Sequence, residues 1–183
     1  FTPEQARAHH ATLIAEVVRG TDPQQRDFRD FVRHEVLDPL GIDDLGIGVP
    51  PPHHHRIARL INPAPRPLPP DAPRFKAIPL HVGTSEEIFG RPDIRQSCIP
   101  GAGGFSTGRA MARFFAMLAN GGALDGVRIL PADLVRTFTD LRPGSDELDD
   151  VQGIVVKIGA GFWLAGNTQP ENLGRLIGTN PNA

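Results

Sequence analysis

Hydrolysis by a nucleophilic side chain needs a serine or cysteine with a base within hydrogen-bond reach, and this sequence has a short inventory: Ser85, Ser97, Ser106, Ser145 and Cys98. None of the serines is followed three residues later by lysine, the spacing that sets the two one helical turn apart. Nor is there a Gly-x-Ser-x-Gly elbow. Ser106 and Thr107 stand where a helix cap belongs, and Cys98, between Ser97 and Ile99, reads as a small half-buried residue. The stretch Gly101-Ala102-Gly103-Gly104 ahead of a helix could cradle an anion. It lacks the lysine of a phosphate loop and the spacing of a dinucleotide fingerprint, so a tight turn allowing close packing is the expectation.

Two histidine clusters, His9-His10 and His53-His54-His55, raise the question of a metal. Adjacent histidines on a helix point apart, and the triplet follows three prolines with no carboxylate at a useful spacing. The expectation is a solvated surface, with no metal and no cofactor. Arg66-Pro67-Leu68-Pro69-Pro70 is close to a proline-rich ligand for an SH3-type groove.

The elements that must position these residues are mostly helical. Thr2-Pro3-Glu4-Gln5 has the form of a capping box, and Leu13, Ile14, Val17 and Val18 come next at helical spacing up to Gly20. A second helix is expected from Asp22-Pro23-Gln24-Gln25, with Phe28, Phe31, Val32 and Val36 on one stripe before Pro39 and Gly41 end it. From Gly46 to Pro79 the prolines predict an extended excursion over a surface, in which Ile57-Ala58-Arg59-Leu60-Ile61 alone could pair as a strand. A helix after Thr107 carries Met111, Phe114, Phe115 and Leu118 and closes at Asn120-Gly121-Gly122. Val127 to Leu130 is a short apolar segment, Pro131 opens another helix through Leu134, Val135 and Phe138, and Ile154-Val155-Val156 and Gly161-Phe162-Trp163-Leu164 have strand composition.

Composition limits the partners. With 39% apolar and 22% charged residues in 183, the chain has globular content for one domain or part of a larger one, and its 20 glycines and 19 prolines imply much ordered loop. A net charge of −2, with both signs interspersed, gives no footprint for nucleic acid. No apolar run approaches the roughly 20 residues that span a bilayer, so a soluble, cytoplasmic chain is expected. Cys98 is the one cysteine and forms no internal disulfide.

Read in order, several segments resemble the serine β-lactamase, penicillin-binding protein and carboxylesterase superfamily, in its class C β-lactamase-like esterase branch. Leu13 to Gly20, then Phe28 to Ile42 with its Asp38-Pro39-Leu40-Gly41 element, are similar to that family's helical hairpin. Ile47-Gly48-Val49-Pro50, Ile99 to Phe115, Leu118 to Gly122, Gly126 to Leu130 and Gly159 to Leu164 continue the likeness.

The resemblance implies a mainly α chain with long irregular loops and a few short strands, the helical part of an α+β fold, and a serine acylated during hydrolysis of a small ester or β-lactam. In the family the Ser-x-x-Lys motif lies upstream of the segment matching Phe1. A Lys-Thr-Gly or His-x-Gly strand lies downstream of the segment matching Ala183, so a fragment truncated at both ends is expected. A tyrosine should precede the first apolar stripe, and the sequence holds no tyrosine. His9 stands nearest, since His9-His10-Ala11 resembles the family's Tyr-His-Ala if one deletion is allowed, whereas Gln5 fits a gapless register. Lys157-Ile158-Gly159 resembles the third motif but precedes Gly161-Phe162-Trp163, the wrong place for it.

The expected organisation is one partial domain over 1–183. Its parts are a helical hairpin (1–41), a proline-rich excursion (42–99), a helical part (100–140), and an acidic loop with a sheet remnant (141–183). The expected function is a serine hydrolase fragment that is inactive as this chain and self-associates through exposed apolar surface. The alternative is a non-catalytic interaction protein or scaffold using the proline-rich segment.

Overall fold

The computed structural model describes residues 13–61, 69–73, 75, 86–145, 147–149, 154–155 and 157–164. The first apolar stripe forms a helix over 13–21 (α1), while Thr2, Pro3 and Gln5 lie outside the described residues. Ala15 is the buried residue of α1, whereas Leu13, Ile14 and Val17 are 48%, 53% and 64% exposed.

The second helix starts later than expected from Asp22. That residue is buried, and its carboxylate accepts from the Gln24 and Arg26 main-chain N–H groups and from the Arg26 guanidinium at 2.7 and 2.9 Å. Arg26 holds the Asp22 carboxyl far below the usual carboxylate range. Asp22 thus closes a turn, and Gln25, at φ 50°, has a backbone that no helix continues through. The cap passes to Asp27, whose side chain accepts from Asp30 N–H at 2.9 Å, and α2 runs Phe28–Val32. Its continuation, Arg33–Leu37, is π-helical, with Asp38 N–H reaching Arg33 O at 2.9 Å. Pro39 has no N–H to extend the ladder, and the helix stops there as its spacing predicts.

Arginine side chains take up the main-chain carbonyls of the segment beyond Pro39. Arg33 donates to Ile42 O at 2.9 Å and Leu45 O at 2.8 Å. Arg29, one turn earlier on the same face, donates to Ile47 O at 2.8 Å and Gln96 O at 2.6 Å. Arg113 donates to Leu40 O at 2.8 Å and pairs with Asp125. Held this way, Leu45–Ile47 becomes a strand (β1) and pairs antiparallel with Gly104–Ser106 (β2), in the register Leu45 to Ser106 and Ile47 to Gly104.

The proline-rich region departs from the extended form. Pro51–Arg56 is a 3₁₀-helix with prolines in its first turn, where a missing N–H costs nothing. Ile57 to Ile61, expected as the strand of this region, is not one: it leaves the 3₁₀-helix extended at Ile57, and Ile61 is largely exposed without a strand partner among the described residues. Two short helices that the residue pattern does not predict come later, Glu86–Phe89 (α3) and Pro92–Gln96 (α4).

The longest element described, Gly108–Ala119 (α5), is capped by Thr107, whose side chain accepts from Ala110 N–H at 3.2 Å. Ala123–Leu124 (β3) and Val127–Arg128 (β4) form a hairpin across Asp125 and Gly126, both with positive φ, as two-residue turns of this kind require. Ala132–Thr137 (α6) begins after Pro131 as expected. Leu148–Asp149 (β5) pairs with Ile154–Val155 (β6). The expected strand at 161–164 is reduced to one bridge between Ile158 and Trp163. The β-strands among the described residues form three two-stranded pairs and no closed sheet.

The core joins α2 and its continuation to α5: Leu37, Leu40, Ile42, Ala110 and Met117 are buried, with Val32, Val36, Leu45, Phe114 and Leu118 packed against them. Gly48 ties this core to the loops beyond it. Its N–H donates to Gly103 O at 2.8 Å, and at φ 73° an added Cβ would lie 2.6 Å from Ser97 O and 2.8 Å from both Gln96 O and the Arg29 guanidinium. Left-handed backbone strain and these main-chain clashes add, so Gly48→Ala is expected to lower unfolding free energy by about 2–4 kcal/mol. Urea denaturation followed by circular dichroism measures it, and a midpoint equal to that of the parent chain would contradict the packing described.

Candidate functional site

A groove of about 960 Å³ opens where β1 and β2, the 3₁₀-helix and α4 meet. Gly48, on its lining, donates its N–H to Gly103 O, and Arg29 joins the preceding Ile47 O to Gln96 O. The main-chain N–H of Val49 donates to Arg95 O at 2.7 Å, which seats α4 beside the 3₁₀-helix. The lining combines His53, Arg56 and Arg95 with the apolar Leu60, Phe89 and Phe105.

The candidate nucleophiles are engaged in local structure. Ser106 lines the groove, yet its hydroxyl donates to Thr107 O at 2.8 Å, and no base is bonded to it among the described residues. Ser97 donates to Asp93 O at 2.6 Å at the end of α4. Ser145 is buried and donates to Arg142 O at 2.7 Å and Ile158 O at 3.2 Å. Ser85 lies outside the described residues. Cys98 is half-buried, and that burial pushes its thiol above the ordinary cysteine value, the reverse of an activated thiolate.

The His54 ring contacts Val49 O at 2.8 Å and the His55 ring Pro52 O at 2.9 Å, and no cluster of metal-ligating side chains occurs among the described residues. The glycine-rich stretch is a tight turn: Ala102 and Gly103 N–H both donate to Ile99 O, at 3.1 and 2.7 Å, leaving neither amide for an anion. Lys157 belongs to the turn that Ile158 and Trp163 close, its carbonyl accepting from Leu164 N–H at 2.8 Å. His9 and Arg66-Pro67-Leu68 lie outside the described residues. No helix among the described residues is long and apolar enough to cross a membrane.

Residue types and spacing single out neither Arg95 as a site residue nor the groove. Its walls come from separate segments between Asp43 and Thr107, and no local spacing reports that they meet.

The chain has relatives among known proteins. The family model described as Beta-lactamase matches residues 2–180. An esterase/beta-lactamase, LipL, of Mycobacterium tuberculosis (strain ATCC 25618 / H37Rv) is 33% identical over an aligned length of 149 residues, the match covering 72% of this chain and 34% of the relative. A crystal structure of a family VIII carboxylesterase superposes with a TM-score of 0.70 at 28% identity, over 90% of this chain and 44% of its own. A penicillin-binding protein homologue from Caulobacter crescentus superposes with a TM-score of 0.66 at 30% identity, over 86% and 41%. EstA from Arthrobacter nitroguajacolicus Rue61a, at 18% identity and a TM-score of 0.70 over 87% and 43%, shares the fold. The chain spans about a third of the length of the curated relative and less than half of each of these structures.

The state of Cys98 is open to direct measurement. A raised thiol leaves less thiolate than a free cysteine at about pH 8.5, the ordinary cysteine value. Alkylation by iodoacetamide at that pH is expected to be several-fold slower in the folded chain than in the same chain in urea, with the gap closing as pH rises further. Equal rates would show the thiol to be exposed and unshifted.

Proposed function

Since the chain belongs to the Beta-lactamase family, with the model matching residues 2–180, we propose that it is the helical part of a serine hydrolase acting on small esters, or on β-lactams, and that alone it does not complete the reaction. One observation carries this reading. The sequence holds no Ser-x-x-Lys and no tyrosine, and the described serines give their hydroxyl protons to main-chain carbonyls. A serine in that position has no base to remove its proton, and covalent catalysis needs one. On this reading the nucleophile and its lysine come from sequence outside the 183 residues, and this chain contributes a scaffold and one wall of the cleft. The esterase side is favoured because one structural neighbour, at 28% identity, is a carboxylesterase, and the curated relative's description includes esterase.

The chain alone is expected to form no covalent adduct with a fluorophosphonate or a labelled penicillin, read by intact mass against a heat-denatured control. Stoichiometric labelling of any serine overturns the reading.

The same reading accounts for the apolar surface left open. Leu13, Ile14 and Val17 of α1, with Phe115 and Trp163 elsewhere, are all more than 40% exposed. Large side chains this open favour association. Sedimentation velocity is expected to show self-association at tens of micromolar, reduced in a Leu13→Ser, Ile14→Ser, Val17→Ser variant. A single monomeric boundary at every concentration would remove this part of the proposal.

A further inference from the structure

Asn120 is the one asparagine of the sequence followed by glycine. Such an asparagine can lose its side-chain amide, because the next main-chain nitrogen attacks Cγ, and glycine, with no Cβ, leaves that nitrogen unhindered. Here the Gly121 nitrogen bonds to Asn120 Cγ, the Cγ–Nδ2 bond breaks, and ammonia leaves carrying the proton that the Gly121 N–H gives up. The product is a five-membered succinimide. Water then opens the ring at either carbonyl, leaving aspartate or isoaspartate. One water is consumed and one ammonia released, and no other reactant enters.

In the fold that nitrogen is engaged. Asn120 caps the C-terminus of α5, its own N–H donating to Ala116 O at 3.0 Å. The next two residues close the end: Gly121 N–H donates to Leu118 O at 3.0 Å and Gly122 N–H to Met117 O at 2.9 Å. With Gly121 at φ 65° and Gly122 at φ 88°, this pair of bonds is a Schellman closure. Forming the succinimide requires the Gly121 nitrogen on the same side of the Asn120 Cα–C bond as Cβ, and at ψ 26° it lies nearly opposite. Asn120 itself is exposed, so water and base reach it. The barrier is therefore the hydrogen bond to Leu118 and the main-chain angle, and both are lost when the end of α5 opens.

Reaction there also alters what the closure holds. Met117 belongs to the core, and Gly122 O accepts from the Ile129 and Leu130 N–H groups at 2.9 and 3.1 Å. Isoaspartate adds a methylene to the main chain at 120, and either product sets a carboxylate at the negative end of the α5 dipole. We propose that Asn120 is a deamidation site guarded by the C-terminal closure of α5, converted through a succinimide to isoaspartate and aspartate when that closure opens. This modification needs no hydrolase activity and does not depend on that reading.

Incubation of the 183-residue chain in mildly alkaline buffer, with and without denaturing urea, tests the proposal; trypsin then releases residues 114–128 by cutting after Arg113 and Arg128. In urea this peptide is expected to gain the mass of an amide turned acid and to separate into aspartate and isoaspartate forms. In the folded chain the gain is expected at least about tenfold more slowly. Isomerisation of Asp125 ahead of Gly126, in the same peptide, changes no mass and leaves the reading clean. Gly122→Ala keeps the Asn-Gly pair and strains the closure, since an added Cβ would lie 2.3 Å from Leu130 O at positive φ. With the circular dichroism spectrum of the parent chain, this variant is expected to deamidate several-fold faster than the parent in buffer and equally fast in urea. The parent's ratio of rates stands as a test by itself where the variant does not fold. Equal rates for the parent in buffer and urea, no mass gain in urea, or a folded Gly122→Ala chain that reacts no faster than the parent would each overturn the proposal. All three leave the covalent-labelling result, and so the hydrolase reading, where it stands.

Discussion

Arginine side chains bonded to main-chain carbonyls are the interaction on which the rest of this structure depends. The segment from Leu40 to Ile47 leaves a helix and enters a strand too short to satisfy its own polar groups, and buried carbonyls without donors are costly. Arg33 takes up Ile42 and Leu45, Arg29 takes up Ile47, and Arg113 takes up Leu40. A guanidinium suits this work because it presents five donors in a rigid fork and stays charged at any working pH. Lysine has three donors but all on one nitrogen, so it cannot reach two carbonyls from separate nitrogens as Arg33 does.

That stitching has three consequences. It fixes the β1–β2 register, because Leu45 and Ile47 are held on one side by arginines while their strand pairs with Gly104–Ser106 on the other. It closes the core, since the same turn that offers Leu40 O and Ile42 O to arginines buries the Leu40 and Ile42 side chains against Ala110 and Met117. It also sets the groove, because Arg29 reaches past β1 to Gln96 and draws α4 toward the 3₁₀-helix. At Gly48 the main chain of the 96–97 segment and Arg29 leave no room for a side chain.

Chemistry is distributed differently from structure. The family likeness rides on the stitched scaffold, on the Asp-Pro-Leu-Gly turn and on the capped helix after Thr107. The hydroxyls in the described part serve caps and turns. The chain spans under half of each of its structural neighbours.

Local order was legible in the sequence. Helical spacing located α1, α2, α5 and α6, Pro39 gave a stop, Thr107 gave a cap, and the ordered signatures pointed to the family, because each of these is decided within a few residues by backbone sterics and periodicity. The Asp-Gly of the β3–β4 hairpin carries a turn signal as well, although the flanking strands are too short to announce themselves. Other features had no local signal. Asp22 has the composition of a helix cap yet closes a turn, since Arg26 supplies a stronger partner for its carboxylate. Leu45-Gly46-Ile47 and Gly104-Phe105-Ser106 are poor strands by propensity and become strands because each finds the other across a long stretch of chain. Ile57 to Ile61 has strand composition and finds no edge among the described residues. The groove, with Arg95 on its wall, exists because Arg29 and Arg33, one turn apart on one helix, reach carbonyls from distant segments. Sequence determined which elements could form and which family they belong to; tertiary structure alone decided which carbonyls those arginines would meet, because long-range hydrogen bonds depend on where the chain returns in space.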